Sequence, residues 1–259
     1  MTEVDKRMSK IMEELVSHVL SRPEKVETVF VGQRFTAVRL FSGDVGLALT
    51  PLKPFDSCIG ITNASGSFTK YDTSKLARFY LSNNSFLKAI GMATINAVLQ
   101  RDLKDRSDFV EGDFLNILEI KPKDTVATVD YYTTKIGILK RSKLMVFDDR
   151  LAGKRKDFQI LPISKLPEKL SNADIVIFPP AFIDQIDKIR KWASRARELV
   201  LVHPTTPPLP EPFFEHGVTL VASMKILDSK SLIRYVMEGA GTTLFKRFCK
   251  KIVFNSFRS

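Results

Sequence analysis

Thr125-Val126-Ala127-Thr128-Val129-Asp130 opens a series of six short apolar runs that decides how this chain folds. The others are residues 144–147, 175–178, 199–202, 218–222 and 252–254. Each is β-branched or otherwise apolar throughout instead of alternating, the pattern of strands covered on both faces. Helical patterns or long connections separate them. Residues 184–193 and 229–237 are the best crossover helices, because apolar positions recur on one face and charges occupy the other. The order predicts an α/β fold built on a Rossmann-like, mostly parallel sheet.

Working upstream, the rhythm changes. Residues 4–20 place Val4, Met8, Ile11, Met12, Leu15, Val16 and Val19 on one stripe, an amphipathic helix that ends before Pro23. Three β-rich runs follow at 26–31, 35–41 and 45–49. The turns Gly32-Gln33-Arg34 and Ser42-Gly43-Asp44 join them, so they read as an antiparallel meander. Residues 74–80 form a short helix and 85–99 a longer one, capped by Asn83 or Asn84. This is a smaller α+β pattern. The charged stretch between Arg101 and Glu111 interrupts the apolar periodicity, which divides the chain into an N-terminal α+β domain, 1–108, and an α/β domain, 109–259.

Composition narrows the function classes. A 259-residue chain that is 44% hydrophobic and 27% charged has the material for one large core or two ordinary ones. It carries neither an apolar leader nor a charge-free stretch of the roughly 18 residues that cross a bilayer, so the expected location is cytoplasmic, with no membrane partner. Cys58 and Cys249 are too few and too distant for a disulfide framework or a thiolate metal cluster. Of the net +11, the larger share follows residue 108, where 25 basic face 17 acidic side chains. That excess suits a small anionic ligand. The cations are dispersed and no reading motif accompanies them, so nucleic acid is disfavoured as a partner. A homodimer fits the class and is not readable from composition.

Ligands of a parallel sheet sit at the carboxyl ends of its strands, which singles out Asp130, Asp149, His203, Thr205 and Thr206. Asp130 and Asp149 could form a hard-metal ligand pair or simply cap turns. His203 could exchange a proton near neutral pH, ligate a metal, or satisfy a loop carbonyl. Thr205 and Thr206 offer hydroxyls in a turn stiffened by Pro204, Pro207 and Pro208. No GxGxxG follows the first strand, so classical NAD or FAD binding is disfavoured. Gly239-Ala240-Gly241-Thr242-Thr243 is either an anion nest or a tight connection.

Several segments together resemble the heavy-metal-chelation family of two-domain proteins. These are Phe35-Thr36-Ala37-Val38, Ala89-Ile90-Gly91-Met92-Ala93-Thr94-Ile95-Asn96-Ala97, Gly112-Asp113, Ala173-Asp174-Ile175-Val176-Ile177, and His203-Pro204-Thr205-Thr206-Pro207-Pro208-Leu209-Pro210. The resemblance implies an enolase N-terminal-like domain before a Rossmann-like domain, with a ligand cleft between them. It implies no established reaction. Asn84, Thr205 and Thr206 match positions in the family's motifs, whereas Asp130, Asp149 and His203 come from strand-end geometry. This chain also departs from the family. Leu87 stands where a glutamate is usual, Phe178-Pro179-Pro180-Ala181-Phe182-Ile183-Asp184 replaces a Thr-Gly turn, and His203-Pro204 replaces Gly-Pro. The resulting expectation is a cleft for a small anionic or metal-chelating ligand, with a divalent metal held by oxygen donors if one takes part. A non-enzymatic interaction protein with a degenerate site is the alternative.

Overall fold

The computed structural model describes residues 3–51, 65–129, 139, 142–149 and 158–257. Helix α1 (Glu3–Leu20) is followed by strands β1 (Val26–Val31), β2 (Phe35–Leu40) and β3 (Val45–Leu49), an antiparallel sheet in the order β1-β2-β3. Its register sets Val38 opposite Val29 on one side and Gly46 on the other. Two helices complete this part, α2 (Thr73–Ala77) and α3 (Ser85–Asp102).

Every residue of α3 from Ala89 to Gln100 is buried. A helix buried all round must have partners on all sides, and small residues let those partners come close. A Cβ on Gly46 of β3 would lie 2.1 Å from the Ala93 carbonyl oxygen and the Ala97 nitrogen, and one on Gly91 would lie 2.1 Å from the Tyr80 nitrogen. Glycine at these two places is therefore a packing requirement of the α3 contacts.

The second sheet has eight strands among the described residues. They are β4 (Val110–Glu111), β5 (Thr125–Val129), β6 (Lys143–Phe147), β7 (Gln159–Leu161), β8 (Ile175–Phe178), β9 (Glu198–Val202), β10 (Leu220–Ile226) and β11 (Cys249–Asn255), in the order β4-β11-β10-β9-β8-β5-β6-β7. From β10 to β7 all neighbours are parallel, while β11 lies antiparallel to both β10 and β4. The helices α4 (Leu166–Lys169), α5 (Ile186–Trp192), α6 (Glu211–Glu215) and α7 (Ser229–Met237) lie between strands. The fold is thus a mostly parallel α/β sheet with a smaller N-terminal α+β part.

Alternate residues of the large sheet enter different cores. Ala127, Val129, Met145, Phe147, Val176 and Phe178 join Ile11, Leu15 and Ile90 of α1 and α3 in one continuous cluster. Val126, Val146, Ile175, Ile177 and Val200 face the other way, onto Phe114, Leu118 and Leu139. A third cluster joins Phe35 and Leu47 of the small sheet to Met224, Ile233 and Phe245. The small sheet is therefore welded to the rest of the molecule by apolar packing.

The sequence reading needs correction in several places, among them β11, which runs over Cys249–Asn255 where residues 252–254 are expected. β10 begins at Leu220 and continues to Ile226, because Met224, Lys225 and Ile226 pair with Lys251, Lys250 and Cys249 and backbone pairing tolerates the polar side chains there. The helix expected from 184 starts as a 3-10 helix over Pro180–Gln185 and becomes α-helical only at Ile186, since consecutive prolines leave backbone donors missing at its start. β4 and β7 are too short to carry a periodicity. Helix α3 runs three residues beyond the expected end, to Asp102.

Candidate functional site

Strand order reverses between β5 and β8, the position where parallel sheets open a crevice beyond their carboxyl ends. A cleft of about 1270 Å³ lies there, roofed by the small sheet and the first turns of α3. Asp148 and Asp149 come from the end of β6, Pro179 and Ala181 from that of β8, and His203, Pro204 and Thr205 from that of β9. Arg34, Ser85, Lys88 and Met92 face them from the N-terminal part, and Thr242, Thr243 and Lys246 close the side.

The best-defined part of the floor is the turn after β9. The His203 amide donates to the Ala222 carbonyl at 3.4 Å and the Thr206 amide to the His203 carbonyl at 3.0 Å. The Ser223 hydroxyl donates to the Thr206 carbonyl at 2.5 Å. From the other side, the buried Asn96 amide of α3 donates to the carbonyls of Leu47 at 2.7 Å and Thr205 at 2.9 Å. One turn further along α3, Gln100 donates to the Met224 carbonyl at 2.7 Å and accepts from the Ile226 amide at 2.9 Å. Two amides of one helix thus tie the small sheet, the β9 turn and β10 together.

Within that turn, His203 Nδ1 lies 2.9 Å from the Thr205 hydroxyl and accepts from the Thr205 backbone amide at 3.2 Å. Burial pushes the imidazole pKa down to about 4, so the ring is neutral near pH 7. Thr205 lines the cleft. Thr206 does not, being 1% exposed with a buried hydroxyl that lacks a partner among the described residues.

The remaining candidates have separate surroundings. Asp149 lines the cleft and one of its oxygens accepts from the Ile163 amide at 2.8 Å, a capping arrangement. Asn84 is the N-cap of α3, its side-chain oxygen accepting from Phe86 at 2.9 Å and Leu87 at 3.1 Å. It stands at the exposed start of a helix whose next turn reaches the cleft through Ser85 and Lys88. Asp130, with Tyr131 and Tyr132, lies outside the described residues, as does Cys58. The glycine pair of Gly239-Ala240-Gly241 delivers Thr242 and Thr243 to the cleft wall, with Gly239 at φ +84° making the turn.

Sequence reasoning passed over the cations and the amides. Arg34 lies in a predicted turn, Lys246 among dispersed basic residues, Lys88 and Asn96 within the predicted helix 85–99, and Gln100 just beyond its end. Among the described residues Arg34 and Lys246 have no carboxylate partner, and Lys88 lies 3.9 Å from Asp184. Burial, reinforced by the charge of Asp184, holds the neighbouring Tyr80 phenol well above its usual range. The one available signal was the i, i+4 spacing of Asn96 and Gln100, two polar residues on one face of an otherwise apolar segment.

Two family models match the chain, DUF364 over residues 113–255 and DUF4213 over residues 12–99, both described as "putative heavy-metal chelation". The chain belongs to the DUF364 family. An uncharacterized protein of Methanocaldococcus jannaschii is 28% identical over 182 residues, a match spanning 63% of this chain and 64% of that protein's length. Crystal structures of two DUF364 proteins of unknown function share the fold. That from Pyrococcus horikoshii is 20% identical with a TM-score of 0.78, over 96% of this chain and 99% of its own. That from Desulfitobacterium hafniense is 17% identical with a TM-score of 0.74, over 97% and 99%.

The family description can be tested against this chain's donors. Among the described residues no three His, Cys, Asp or Glu side chains come together as a metal site. The Cys249 thiol is buried, and its pKa is pushed up to about 12 by that burial, so it offers no thiolate at neutral pH. The described donor set therefore does not fit a soft heavy metal. No helix among the described residues is long and apolar enough to cross a membrane.

Proposed function

We propose that DUF364 proteins of this type bind a small, oxygen-rich anion in the cleft between the N-terminal α+β part and the carboxyl edge of the parallel sheet. One observation carries the reading. Arg34, Lys88 and Lys246 line the cleft from separate elements, opposite a sheet edge where the neutral His203 stands beside Asp148 and Asp149, while Asp113 and Asp184 of the same wall face Lys251 and Lys88. Cations on long stems can close around an anion, and the neutral His203 ring can orient it by a hydrogen bond without adding a buried charge. An anion of this kind is itself a metal chelator. In this reading the ligand supplies the metal's oxygen donors, which accommodates the family description without a protein metal cage.

The binding is tested by mass spectrometry of small molecules that co-purify with the untagged protein, followed by calorimetry on the same compound. Binding of an anionic, multiply oxygenated compound at one site per chain supports the reading; a neutral apolar resident, or no ligand across a panel of carboxylates and phosphates, refutes it. A second reading, a non-enzymatic protein whose ancestral site has decayed, draws on Leu87. Where the family carries a glutamate, this leucine packs against the core. Restoring the glutamate by Leu87→Glu separates the two readings, because a live site that has lost its carboxylate gains metal-dependent binding and a decayed one gains nothing.

A further inference from the structure

The geometry of the β9 turn assigns His203 a role that its residue type alone does not, and we infer that it acts as a fixed Nε2–H hydrogen-bond donor to an acceptor oxygen of the cleft's anion, and is neither a metal ligand nor a proton-exchanging base. The argument begins with a backbone amide. An N–H group can only donate, so the Thr205 amide at 3.2 Å makes Nδ1 an acceptor. The Thr205 hydroxyl, 2.9 Å from the same nitrogen, then has no proton to receive from it and donates as well. A neutral imidazole whose Nδ1 accepts two hydrogen bonds carries its single proton on Nε2.

Nε2 has no protein partner among the described residues, and it is not one of the sealed polar atoms, unlike Asn96 Oδ1 and Thr206 Oγ1. His203 lines the cleft, so an unsealed Nε2–H is available to whatever occupies it. Metal ligation would need a lone pair on Nε2, and hence a proton on Nδ1, where the Thr205 amide already points. The cleft's other titratable groups do not reverse this. Asp113 and Lys251 pair at 2.6 Å, Lys88 faces Asp184, and Asp148 and Asp149 sit at the β6 end. Burial, not any of these charges, sets the ring's low proton affinity.

The turn keeps this tautomer because it cannot rotate away. Asn96 grips the Thr205 carbonyl and Ser223 the Thr206 carbonyl, which holds the Thr205 amide over the ring. Thr205 and Asn96 are thus positioning residues, acting through His203. The inference rests on the anion reading for its ligand and on the turn alone for its tautomer, and the two parts are tested separately.

Long-range nitrogen-proton NMR on the full chain reports the tautomer directly, and with three histidines the assignment needs only single substitutions. The expected result is an unprotonated Nδ1 and a protonated Nε2 for His203, constant between about pH 5 and 8. A proton on Nδ1, or a titration midpoint near the ordinary value of about 6.5, overturns the inference. Thr205→Val keeps the backbone amide and removes only the hydroxyl's bond to Nδ1, so Nε2 should stay protonated while the Nδ1 signal shifts and thermal unfolding stays cooperative; an unchanged Nδ1 signal in that variant rules out a contribution from the hydroxyl, and a proton moved to Nδ1 overturns the assignment to the amide. For the ligand, inorganic phosphate and citrate are titrated in turn, which distinguishes a phosphate from a carboxylate acceptor. His203→Gln, which keeps an amide donor near the ε position, should bind within about threefold of wild type, and His203→Leu at least tenfold more weakly. Equal binding by His203→Leu, or zinc binding that shifts the His203 ring nitrogens, overturns it. If neither anion binds the wild type, the anion reading fails, and with it the ligand half of the inference, while the ring nitrogens still decide the donor half.

Discussion

Helix α3 has two ends with opposite chemistry. Its first turns present Ser85, Lys88 and Met92 to an open cleft, whereas its last turns bury Asn96 and Gln100, whose amides hold backbone groups of three other strands and turns. At one end polar groups face outward, where a ligand can take them up. At the other they are satisfied by the protein, and removing one leaves a buried carbonyl without its donor. The difference shows how a binding site is kept in shape: the inner half of the helix fixes the geometry that the outer half uses.

Overfilling the seam should do the most damage. Gly46→Val sets a side chain where even a Cβ meets Ala93 and Ala97 at 2.1 Å, and it should cost about 4 kcal/mol or more, read as a collapsed urea midpoint or insoluble protein. Asn96→Leu keeps the branched shape but strands the Leu47 and Thr205 carbonyls. A loss of about 3 kcal/mol in urea unfolding is expected, together with weaker anion binding because the His203 turn loosens.

Acid should act through the junction of the two regions. The unfolded His203 takes a proton near its ordinary pKa of about 6.5, while the folded ring resists until about 4. The unfolded state therefore binds more protons in that window, so stability declines as pH falls through it and levels off below. Between about pH 7 and pH 5 the loss should be on the order of 2 kcal/mol, and His203→Gln should abolish that part of the pH dependence. Finally, Arg34→Ala with Lys246→Ala removes only exposed cleft cations. Thermal stability should change by less than about 0.5 kcal/mol, while phosphate affinity falls at least tenfold and loses much of its salt dependence. A large stability change there would mean that the cleft is structural.

The fold was legible because burial leaves its mark on composition. Residues 175–178 and 199–202 are apolar throughout because both faces are covered, and they became β8 and β9 almost to the residue. β10 was read too short because Ser223 and Lys225 look like the end of a strand, although β11 pairs with the backbone beyond them. For the site, the strand-end rule brought Asp149, His203 and Thr205 to the cleft. It could not show that the Thr205 hydroxyl faces His203, a local contact of a few ångströms, whereas the capping preference of asparagine had already pointed to Asn83 or Asn84 at the start of α3. Arg34 was invisible for another reason. A turn between two strands carries no periodicity, and only the packing of the small sheet on the large one turns it toward the strand ends.

The antiparallel strand β11 lies between β4 and β10, so the first strand of the large sheet is joined to the rest of it through the last. A growing chain that has left the ribosome as far as residue 248 still holds β10 with one row of backbone donors and acceptors open. Met224 and Ile226, whose backbone groups Gln100 grips, point the other way, to the side of β9. The large sheet is therefore completed only when residues 249–255 arrive, and the part of the cleft wall that Cys249, Lys251 and Ile252 line takes shape after the other described strands have been made.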